Sequence, residues 1–308
     1  MHACDFRSSA RLTILIVGYR AYEELDRCLA SIRAHEPEAP VVVVDHDADE
    51  PSGRALAARY PRMTYLPSAA NDGFAAGVNT AARHVPSGHL LLLNPDCVLG
   101  GPVVRQLEAV LDAHPGAGVI GGVLVEPGGA LQRSARRFPD VTTAFAGRTS
   151  WLSRHLPGNV LSRRNLSARP SAPTVVDWVT GAFALIRRET FDAIGGFDPA
   201  FFLYWEDADF CRRARAVGWT TMYAPTAAVV HGTARSSAFV PVRALFAFHR
   251  SAWLYYWNHG SWLARLAGPI VAVGLGGRFL MKLPSHLSAA SRPEHLRQRH
   301  SRIRDARA

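Results

Sequence analysis

The feature that most constrains this sequence is a series of short apolar runs separated by segments with helical periodicity. The runs occupy residues 12–17, 41–44, 63–66, 89–93 and 119–123. Runs of this length predict buried strands, whereas Leu25, Cys28, Leu29 and Ile32 recur at helical spacing. Helices are also predicted over residues 75–82, 103–112, 189–194 and 207–217. Strands that alternate with helices indicate an α/β fold with a mostly parallel, Rossmann-like sheet flanked by helices.

Polar residues follow several of these strands at the point where each strand ends. Tyr19 follows the first strand, Asp45 ends the second, and Asn94 and Asp96 follow the fourth. Ligands of open α/β sheets bind at this edge. A carboxylate such as Asp96 suits a divalent cation that bridges two phosphates. Asn-Pro-Asp is also a good turn sequence, and Asp45 could simply begin a solvated loop.

Residues 71–79, NDGFAAGVN, combine glycines with the predicted start of a helix. Glycine lets the backbone approach a ligand closely, and a helix N-terminus favours anionic groups. The segment has neither the GxGxxG pattern of a dinucleotide-binding turn nor the GK[ST] of a P-loop. An ordinary capped turn remains the alternative.

Residues 204–209, YWEDAD, hold three carboxylates beside two aromatic residues. On a helix, Glu206 and Asp209 share one face and Asp207 lies elsewhere. Acidic residues in a first turn also interact favourably with the helix dipole, which is the alternative to a functional role. A general base beside a stacked sugar ring accounts for both the charges and the aromatic rings. His231, after an apolar run, is either a metal ligand or a structural histidine.

Together these segments resemble family 2 glycosyltransferases of the GT-A type, especially bacterial rhamnosyltransferases that act on lipid-linked acceptors. The resemblance covers about residues 12–235. It rests on five motifs in order: ILIVGYR, VVVVDHDADE, NDGFAAGVN, LLLNPDC and WVTGAFALIRRETFDAIGGFDPAFFLYWEDADFCRRARAVGW.

The resemblance implies a role for individual residues. Asp207 matches the catalytic base and Glu206 its companion. Mg²⁺ or Mn²⁺ would be held by Asp96 and His231. The residues implied to contact the nucleotide-sugar donor are Val17, Tyr19, Asp45, Gly73, Asn79, Asn94 and Asp96. Those implied to line the acceptor site are Trp178, Gly181, Tyr204 and Trp205. Arg20 and His46 depart from the asparagines that are common at their positions, which leaves the nucleotide base open.

The implied activity is inverting transfer of a sugar to a hydroxyl of a glycan or polyprenyl-diphosphate-linked acceptor in cell-envelope polysaccharide synthesis. The expected donor is dTDP-rhamnose, and the expected transferred sugar is L-rhamnose. One alternative is a transferase of the same fold that uses a UDP-sugar such as UDP-galactofuranose or UDP-hexose. The other is a non-catalytic protein that binds a membrane surface.

The C-terminal part has its own composition. The chain carries a formal net charge of +10, and six arginines crowd its last 22 residues. Residues 262–283 are apolar but interrupted by Arg265 and Arg278, which predicts a segment that lies on an anionic membrane surface. A helical extension packed on the catalytic domain is the alternative. We therefore expect a catalytic domain at 1–240 and an amphipathic, basic helical extension at 241–308.

Motifs that the sequence lacks give one expectation about its partners and one about its compartment. It has no recognised nucleic-acid reader motif, so we expect no nucleic-acid partner. Its four cysteines have no zinc-ligand spacing, which predicts free thiols in a reducing compartment. The expected location is cytoplasmic, peripheral on the inner face of the plasma membrane.

Overall fold

The computed structural model describes residues 11–47, 50–139, 171–232 and 241–290. The arginine-rich segment after residue 290, Cys4 and residues 233–235, at the end of the range covered by the resemblance, lie outside the described residues. Residues 140–170 lie outside them as well.

A central sheet of eight strands forms the body of the molecule. Its strand order is β10-β13-β6-β12-β4-β1-β2-β3. In chain order the strands are β1 Leu12–Gly18, β2 Val41–Asp45, β3 Met63–Pro67, β4 His89–Leu93, β6 Ala117–Gly121, β10 Thr174–Val176, β12 Phe183–Ile186 and β13 Thr220–Tyr223. The predicted runs therefore form strands with ends shifted by no more than two residues.

Helices cover both faces of this sheet. They are α1 Tyr22–His35, α2 Glu50–Arg59, α3 Phe74–Arg83, α4 Val103–Ala113, α5 Arg188–Ala193 and α6 Glu206–Ala216. Alternate residues of each central strand point to opposite faces. Ile14 packs in one apolar core with α1, α2 and α4, and Leu15 packs in a second core with α3, α5 and α6. Burial on both faces explains why these strands are continuous apolar runs.

The sheet is more mixed than the alternation of strands and helices predicts. Four of its seven strand pairings are parallel and three are antiparallel. Strand β12 runs antiparallel between β4 and β6, with Phe183 opposite Leu93. Because of this direction, the start of β12 meets the carboxyl end of β4, which is the edge where the polar residues lie.

Two small sheets extend this edge. One has the order β5-β14-β7-β8 and the other pairs β11 with β9. Their strands are β5 Cys97–Leu99, β7 Leu124–Val125, β8 Leu131–Gln132, β9 Ala135–Arg136, β11 Trp178–Val179 and β14 Val229–His231. Antiparallel pairing of β14 with β5 places His231 opposite Cys97.

Three helices follow: α7 Pro241–His259, α8 Trp262–Leu266 and α9 Gly268–Ala290. Phe246 contacts Phe279 near one end of the α7–α9 pair, and Gly268 lies beside Trp257 at the other. The two helices therefore form an antiparallel hairpin. The predicted helical extension is confirmed for the described residues, among which no helix has the length and apolar character needed to cross a bilayer.

Candidate active site

The turn after β4 carries Asn94 and Asp96 to the open edge of the sheet. The Asp96 carboxylate Oδ1 lies 3.4 Å from His231 Nε2, and both side chains are mostly buried. The backbone holds this pair together, because Gly232 N–H donates to the Asp96 carbonyl at 3.1 Å. Two predicted ligands that are separated by 135 positions in sequence therefore meet at one point.

Hydrogen bonds hold the His231 ring in one orientation. Its Nδ1 lies 2.8 Å from Gln132 Oε1, which is an acceptor, so Nδ1 carries the proton and donates. Gln132 Nε2 donates to the His231 carbonyl at 2.8 Å and fixes the residue a second time. Asn94 Nδ2 donates to Nε2 at 3.2 Å. His231 Nε2 therefore lies beside both the Asn94 amide and the Asp96 carboxylate.

This arrangement fits a divalent cation. Without a proton between them, Asp96 Oδ1 and His231 Nε2 are two electron-rich atoms in contact, and a cation between them would convert repulsion into ligation. A ligating imidazole usually donates its other N–H to an outer partner, which is the role Gln132 has here. Among the described residues, Cys97 completes the single group of three potential ligands.

Cys97 is poorly suited to ligate. It is buried, and its Sγ donates to the Ala182 carbonyl at 3.4 Å. Burial raises the pKa of its thiol well above the ordinary value, and the charge of Asp96 adds to this. The residue therefore stays a neutral thiol, and Asp96 and His231 are the protein ligands that the site offers.

Asp207 lies in the first turn of α6. Its Oδ1 accepts from Ala208 N–H at 2.8 Å and its Oδ2 from Gly181 N–H at 3.2 Å. Burial raises the pKa of Asp207, while these two hydrogen bonds and the charge of Arg136 act in the opposite direction. Both oxygens are thus oriented by the backbone, and the carboxylate is more basic than an exposed aspartate.

Glu206 differs from its neighbour. It is 7% exposed, and its Oε2 has no hydrogen-bond partner. Burial raises the pKa of Glu206 well above its ordinary value, and the charges of Asp207 and Asp209 raise it further. Two adjacent buried carboxyls do not both ionise readily. Because only Asp207 accepts two N–H donors, the negative charge of the pair resides on Asp207.

A single dipeptide connects the two acidic groups. Gly181 N–H donates to Asp207, while the Ala182 carbonyl accepts from Asn94 N–H at 3.0 Å. Asn94 is two residues before Asp96. The antiparallel direction of β12 produces this contact, because it brings Gly181 and Ala182 to the end of β4. The Asp96–His231 pair and Asp207 therefore share one edge of the sheet.

Asp45 ends β2 and is 3% exposed. Its Oδ2 accepts from the hydroxyls of Tyr22 at 2.6 Å and Tyr65 at 2.8 Å, and its Oδ1 accepts from Asp47 N–H. A carboxylate offers about four acceptor positions, so one is left for a ligand hydroxyl. Burial raises the pKa of Tyr22, followed by its hydrogen bond to Asp45, so Tyr22 remains a donor.

The segment predicted to face a donor packs around His46. Its ring nitrogens lie 3.0 Å from the Ala70 carbonyl and 3.1 Å from the Gly73 carbonyl. Gly73 has a φ of +91°, and a Cβ there would lie 2.2 Å from the Phe202 carbonyl oxygen. A Cβ on Gly77 would meet Val17 and His46. Glycine is therefore required at both positions for steric reasons.

Asn79 and Tyr19 occupy different surroundings. The Asn79 amide binds the backbone of Phe197 through both its oxygen and its nitrogen, at 2.9 and 2.7 Å. It thereby holds the turn that precedes α6. Tyr19 is half-buried at the end of β1, with the Arg20 guanidinium 5.6 Å from its ring centre. Asn79 thus supports the site through a loop, whereas Tyr19 lies at its edge.

The aromatic residues assigned to an acceptor are half-buried. Trp178 donates from Nε1 to the Arg137 carbonyl at 2.7 Å, and the Arg136 guanidinium lies over its ring. Trp205 packs between Phe248 and Tyr255 of α7, and Tyr204 contacts Phe248. Each ring is therefore already packed against protein groups on part of its surface.

The backbone at this edge is strained. Among the described residues, Arg20, Tyr204 and Trp205 are the non-glycine residues with φ above zero, at 52°, 68° and 70°. Such conformations cost about 1–3 kcal/mol each and cluster at functional sites. Arg20 follows β1, and the other two immediately precede Glu206 and Asp207.

Sequence reasoning missed several groups that shape the site. Gln132 orients His231, Tyr22 and Tyr65 bind Asp45, and Arg136 lowers the pKa of Asp207. All of them are far in sequence from the residue they act on.

The fold and this edge define an α/β enzyme with an aspartate–histidine pair that could hold a cation and a backbone-held carboxylate at the carboxyl end of a largely parallel sheet. Comparison with known families then identifies the group. The model described as "Glycosyltransferase like family 2" matches residues 10–247, and the chain belongs to this family.

Curated relatives agree with the family. The chain is 30% identical to an N-acetylglucosaminyl-diphospho-decaprenol L-rhamnosyltransferase of Mycobacterium tuberculosis, over 96% of this chain and 98% of the relative. It is 23% identical to the rhamnosyltransferase WbbL of Escherichia coli, over 71% of this chain and 82% of that protein.

Solved structures share the fold. The structure of GalNAc-T7 with UDP, GalNAc and Mn²⁺ has a TM-score of 0.56 at 14% identity, and covers 81% of this chain and 50% of its own. This chain thus spans half of GalNAc-T7. The mannosyltransferase PcManGT of Pyrobaculum calidifontis, with GDP-Man and Mn²⁺, has a TM-score of 0.50 at 17% identity. The match covers 91% of this chain and 86% of PcManGT. The GT-A-like α/β architecture predicted from the sequence is shared with these proteins.

Proposed function

We propose that this glycosyltransferase moves L-rhamnose from dTDP-rhamnose to a hydroxyl of a polyprenyl-diphosphate-linked acceptor, with inversion at the anomeric carbon. The contact of Asp207 and Asn94 with the Gly181–Ala182 dipeptide carries the proposal, because it brings Asp207 and the turn that holds Asp96 to one edge of the sheet. Similarity to the mycobacterial rhamnosyltransferase along the full chain supports the choice of donor and acceptor.

The donor diphosphate would approach the turn after β4. Asp96 and His231 would hold Mg²⁺ or Mn²⁺ there, with Gln132 orienting the imidazole. A cation held there would supply positive charge that offsets the charge developing on the leaving diphosphate. Asp45 would accept a hydroxyl of the nucleoside through its remaining acceptor position, beside Val17 and Tyr19. Gly73 would hold its loop against Phe202 beside this pocket.

The chemical step is a single displacement. The acceptor oxygen forms a bond to the anomeric carbon as the bond from that carbon to the diphosphate oxygen breaks, and the electron pair leaves on the diphosphate. Asp207 takes the hydroxyl proton, since its carboxylate is ionised and held by two N–H groups. Glu206 stays neutral beside it and keeps the pair at one negative charge.

The acceptor would bind where Gly181, Trp178, Tyr204 and Trp205 surround Asp207. A Cβ on Gly181 would lie 3.7 Å from Asp207 Cβ, so the backbone passes directly beside the base. The aromatic residues offer faces or edges to a sugar ring. Because the acceptor carries a lipid, the reaction would take place at the inner face of the plasma membrane. Residues 241–308 would serve as the membrane-associating extension of a catalytic domain at 1–240.

A donor panel tests this proposal. The purified full chain is incubated with a lipid-linked N-acetylglucosamine acceptor, Mn²⁺ and either dTDP-rhamnose, UDP-galactofuranose or a UDP-hexose. We expect transfer from dTDP-rhamnose, detected as an added deoxyhexose mass on the acceptor. Transfer from a UDP-sugar alone would overturn the choice of donor, and transfer that persists in EDTA would overturn the cation site.

A further inference from the structure

The outer face of α8 and α9 is apolar. Several large apolar side chains in these two helices are exposed, with exposed fractions that reach 76% at Val273 and 77% at Met281. They are Trp262, Leu263, Leu266, Ile270, Val273, Leu280, Met281 and Leu287. Monomeric proteins rarely expose a contiguous apolar patch of this kind unless it binds something.

In α9 the apolar side chains face outward and an arginine faces the protein, which is the reverse of an ordinary surface helix. At about 100° per residue, Ile270, Val273, Leu280 and Met281 fall within one outward sector of roughly 100°. The opposite side packs on α7, where Phe279 contacts His249 at 5.7 Å. Arg278 lies on this inward side, with its guanidinium 5.4 Å from the ring centre of Phe248. A helix with one face in water would carry arginine outward and leucine inward.

The charge of this region has one sign. Residues 241–290 contain no Asp or Glu, and their charged side chains are Arg243, Arg250, Arg265, Arg278 and Lys282. Arg265 and Lys282 are exposed near the two ends of the apolar face. Basic residues close to an apolar face are attracted to anionic lipid headgroups. Two copies of the same hairpin would instead repel each other.

We infer that the α8–α9 face docks on an anionic lipid bilayer, with α9 parallel to the surface and its apolar side chains in the interfacial layer. In this arrangement Arg265 and Lys282 contact the anionic lipid headgroups, and Trp262 lies at the depth of the headgroups. The purpose of this surface rests on the proposed function, because a polyprenyl acceptor is itself confined to the membrane.

The hairpin is joined to the candidate active site through α7. Phe248, which carries Arg278 on its ring, contacts both Tyr204 and Trp205 at 5.8 Å. His259 Nε2 lies 2.7 Å from Asp209 Oδ1 on α6. The docking face is therefore one packed helix away from the turn that carries Asp207, so a bound bilayer would lie near the acceptor site.

Vesicle flotation of the full chain tests the inference. Vesicles of phosphatidylcholine alone are compared with vesicles that also contain phosphatidylglycerol. We expect flotation with the anionic vesicles, weakened by added salt. A variant with Ile270→Gln, Val273→Gln, Leu280→Gln and Met281→Gln should bind them at least about tenfold more weakly, because these side chains would lose burial in lipid.

Matched controls are available outside the hairpin. Val175 and Val217 are 63% and 55% exposed, so Val175→Gln with Val217→Gln removes exposed apolar surface elsewhere on the molecule and should leave flotation unchanged. Equal flotation of the wild type and the four-residue variant would overturn the inference. So would a wild-type dimer, seen by light scattering, that this variant converts to a monomer without any vesicle binding.

A second assay separates this inference from the proposed function. Transfer to a short-chain, water-soluble acceptor should be unchanged in the four-residue variant, because none of its substitutions lies in the proposed catalytic or binding machinery. Vesicle binding without transfer by the wild type would reject the function and retain the surface. Transfer without vesicle binding by the wild type would do the reverse.

Discussion

Substitution of Asp207 by asparagine separates chemistry from structure at this site. The side chain keeps its shape but can no longer take a proton. Loss of a general base typically slows a reaction about 10²–10⁴-fold, which is about 3–5 kcal/mol in activation free energy. Because the Asp207 carboxylate is held by the Ala208 and Gly181 N–H groups, whereas Asp96 lies on a separate turn, donor binding at Asp96 should be retained.

The structure also predicts the cost of this substitution in stability. An asparagine has one oxygen, so it can accept from only one of the two N–H groups that now bind Asp207, and its NH₂ would face the other. One unsatisfied buried donor costs about 1–3 kcal/mol, partly offset because a buried charge is removed. At about 2–4 °C for each kcal/mol, the expected fall in Tm is modest.

The assay compares three proteins at saturating dTDP-rhamnose and acceptor. Asp192→Asn is the matched control, since Asp192 is an exposed carboxylate paired with Arg188 and should transfer at the wild-type rate. Thermal shift with the nucleotide and Mn²⁺ reports donor binding, because a ligand stabilises the folded state that binds it. Asp207→Asn that transfers within tenfold of the wild-type rate would refute the assignment of the base.

Three further predictions concern neighbouring groups. Gln132→Ala should weaken Mn²⁺ binding about 10–100-fold, measured by calorimetry, because outer partners orient the ligating imidazole. Arg136→Gln should move the acidic limb of the kcat/KM profile to higher pH, because the charge of Arg136 lowers the pKa of Asp207. Glu206→Gln should become more stable relative to the wild type as pH rises, measured by urea unfolding. The reason is that the raised pKa keeps Glu206 protonated in the folded protein, whereas the same carboxyl ionises in the unfolded chain and so favours unfolding.

The sign of the Glu206 effect is defined by its pKa. Below its ordinary value of 4.5, Glu206 is protonated in both states and contributes no difference. Above pH 4.5, Glu206 ionises in the unfolded chain but stays protonated in the folded one. The free energy of unfolding of the wild type therefore falls with pH until the raised pKa is passed, by about 1.4 kcal/mol for each unit by which the pKa is raised. A difference between variant and wild type that is the same at pH 4 and pH 8 would contradict this.

Control variants make the other two predictions specific. Gln106 binds the Ala227 N–H away from the site, so Gln106→Ala should leave Mn²⁺ binding unchanged. Arg133 lies three residues before Arg136 in the same segment, and Arg133→Gln should leave the acidic limb in place. Equal metal affinity in Gln132→Ala, or an unmoved limb in Arg136→Gln, would remove those residues from the account.

Much of the fold follows from local sequence. Strands buried on both faces must be continuous apolar runs, so β1, β2 and β4 are visible in the sequence, and α6 is visible from the spacing of Phe210, Cys211 and Ala214. The direction of β12 is not encoded in this way, because an apolar run reads the same in a parallel or an antiparallel strand. That direction nevertheless brings Gly181 to the end of β4.

The site shows the same division. Asp96, Asp207 and His231 could be proposed because each lies at the end or start of an element and matches a family motif. Gln132 could not, since it reaches His231 across 99 positions through two short strands. The tyrosines that bind Asp45 are likewise separated from it by 20 or more positions. Contacts of this kind arise from topology and leave no periodic signal.

The most direct test of the shared site is a crystal structure of the protein with Mn²⁺ and dTDP-rhamnose, read by anomalous scattering from manganese. We predict one strong anomalous peak coordinated by the Asp96 carboxylate and His231 Nε2, with the anomeric carbon of the donor facing Asp207 across the Gly181 backbone. Manganese and donor bound at another edge of the sheet, or an anomeric carbon turned away from Asp207, would contradict the account.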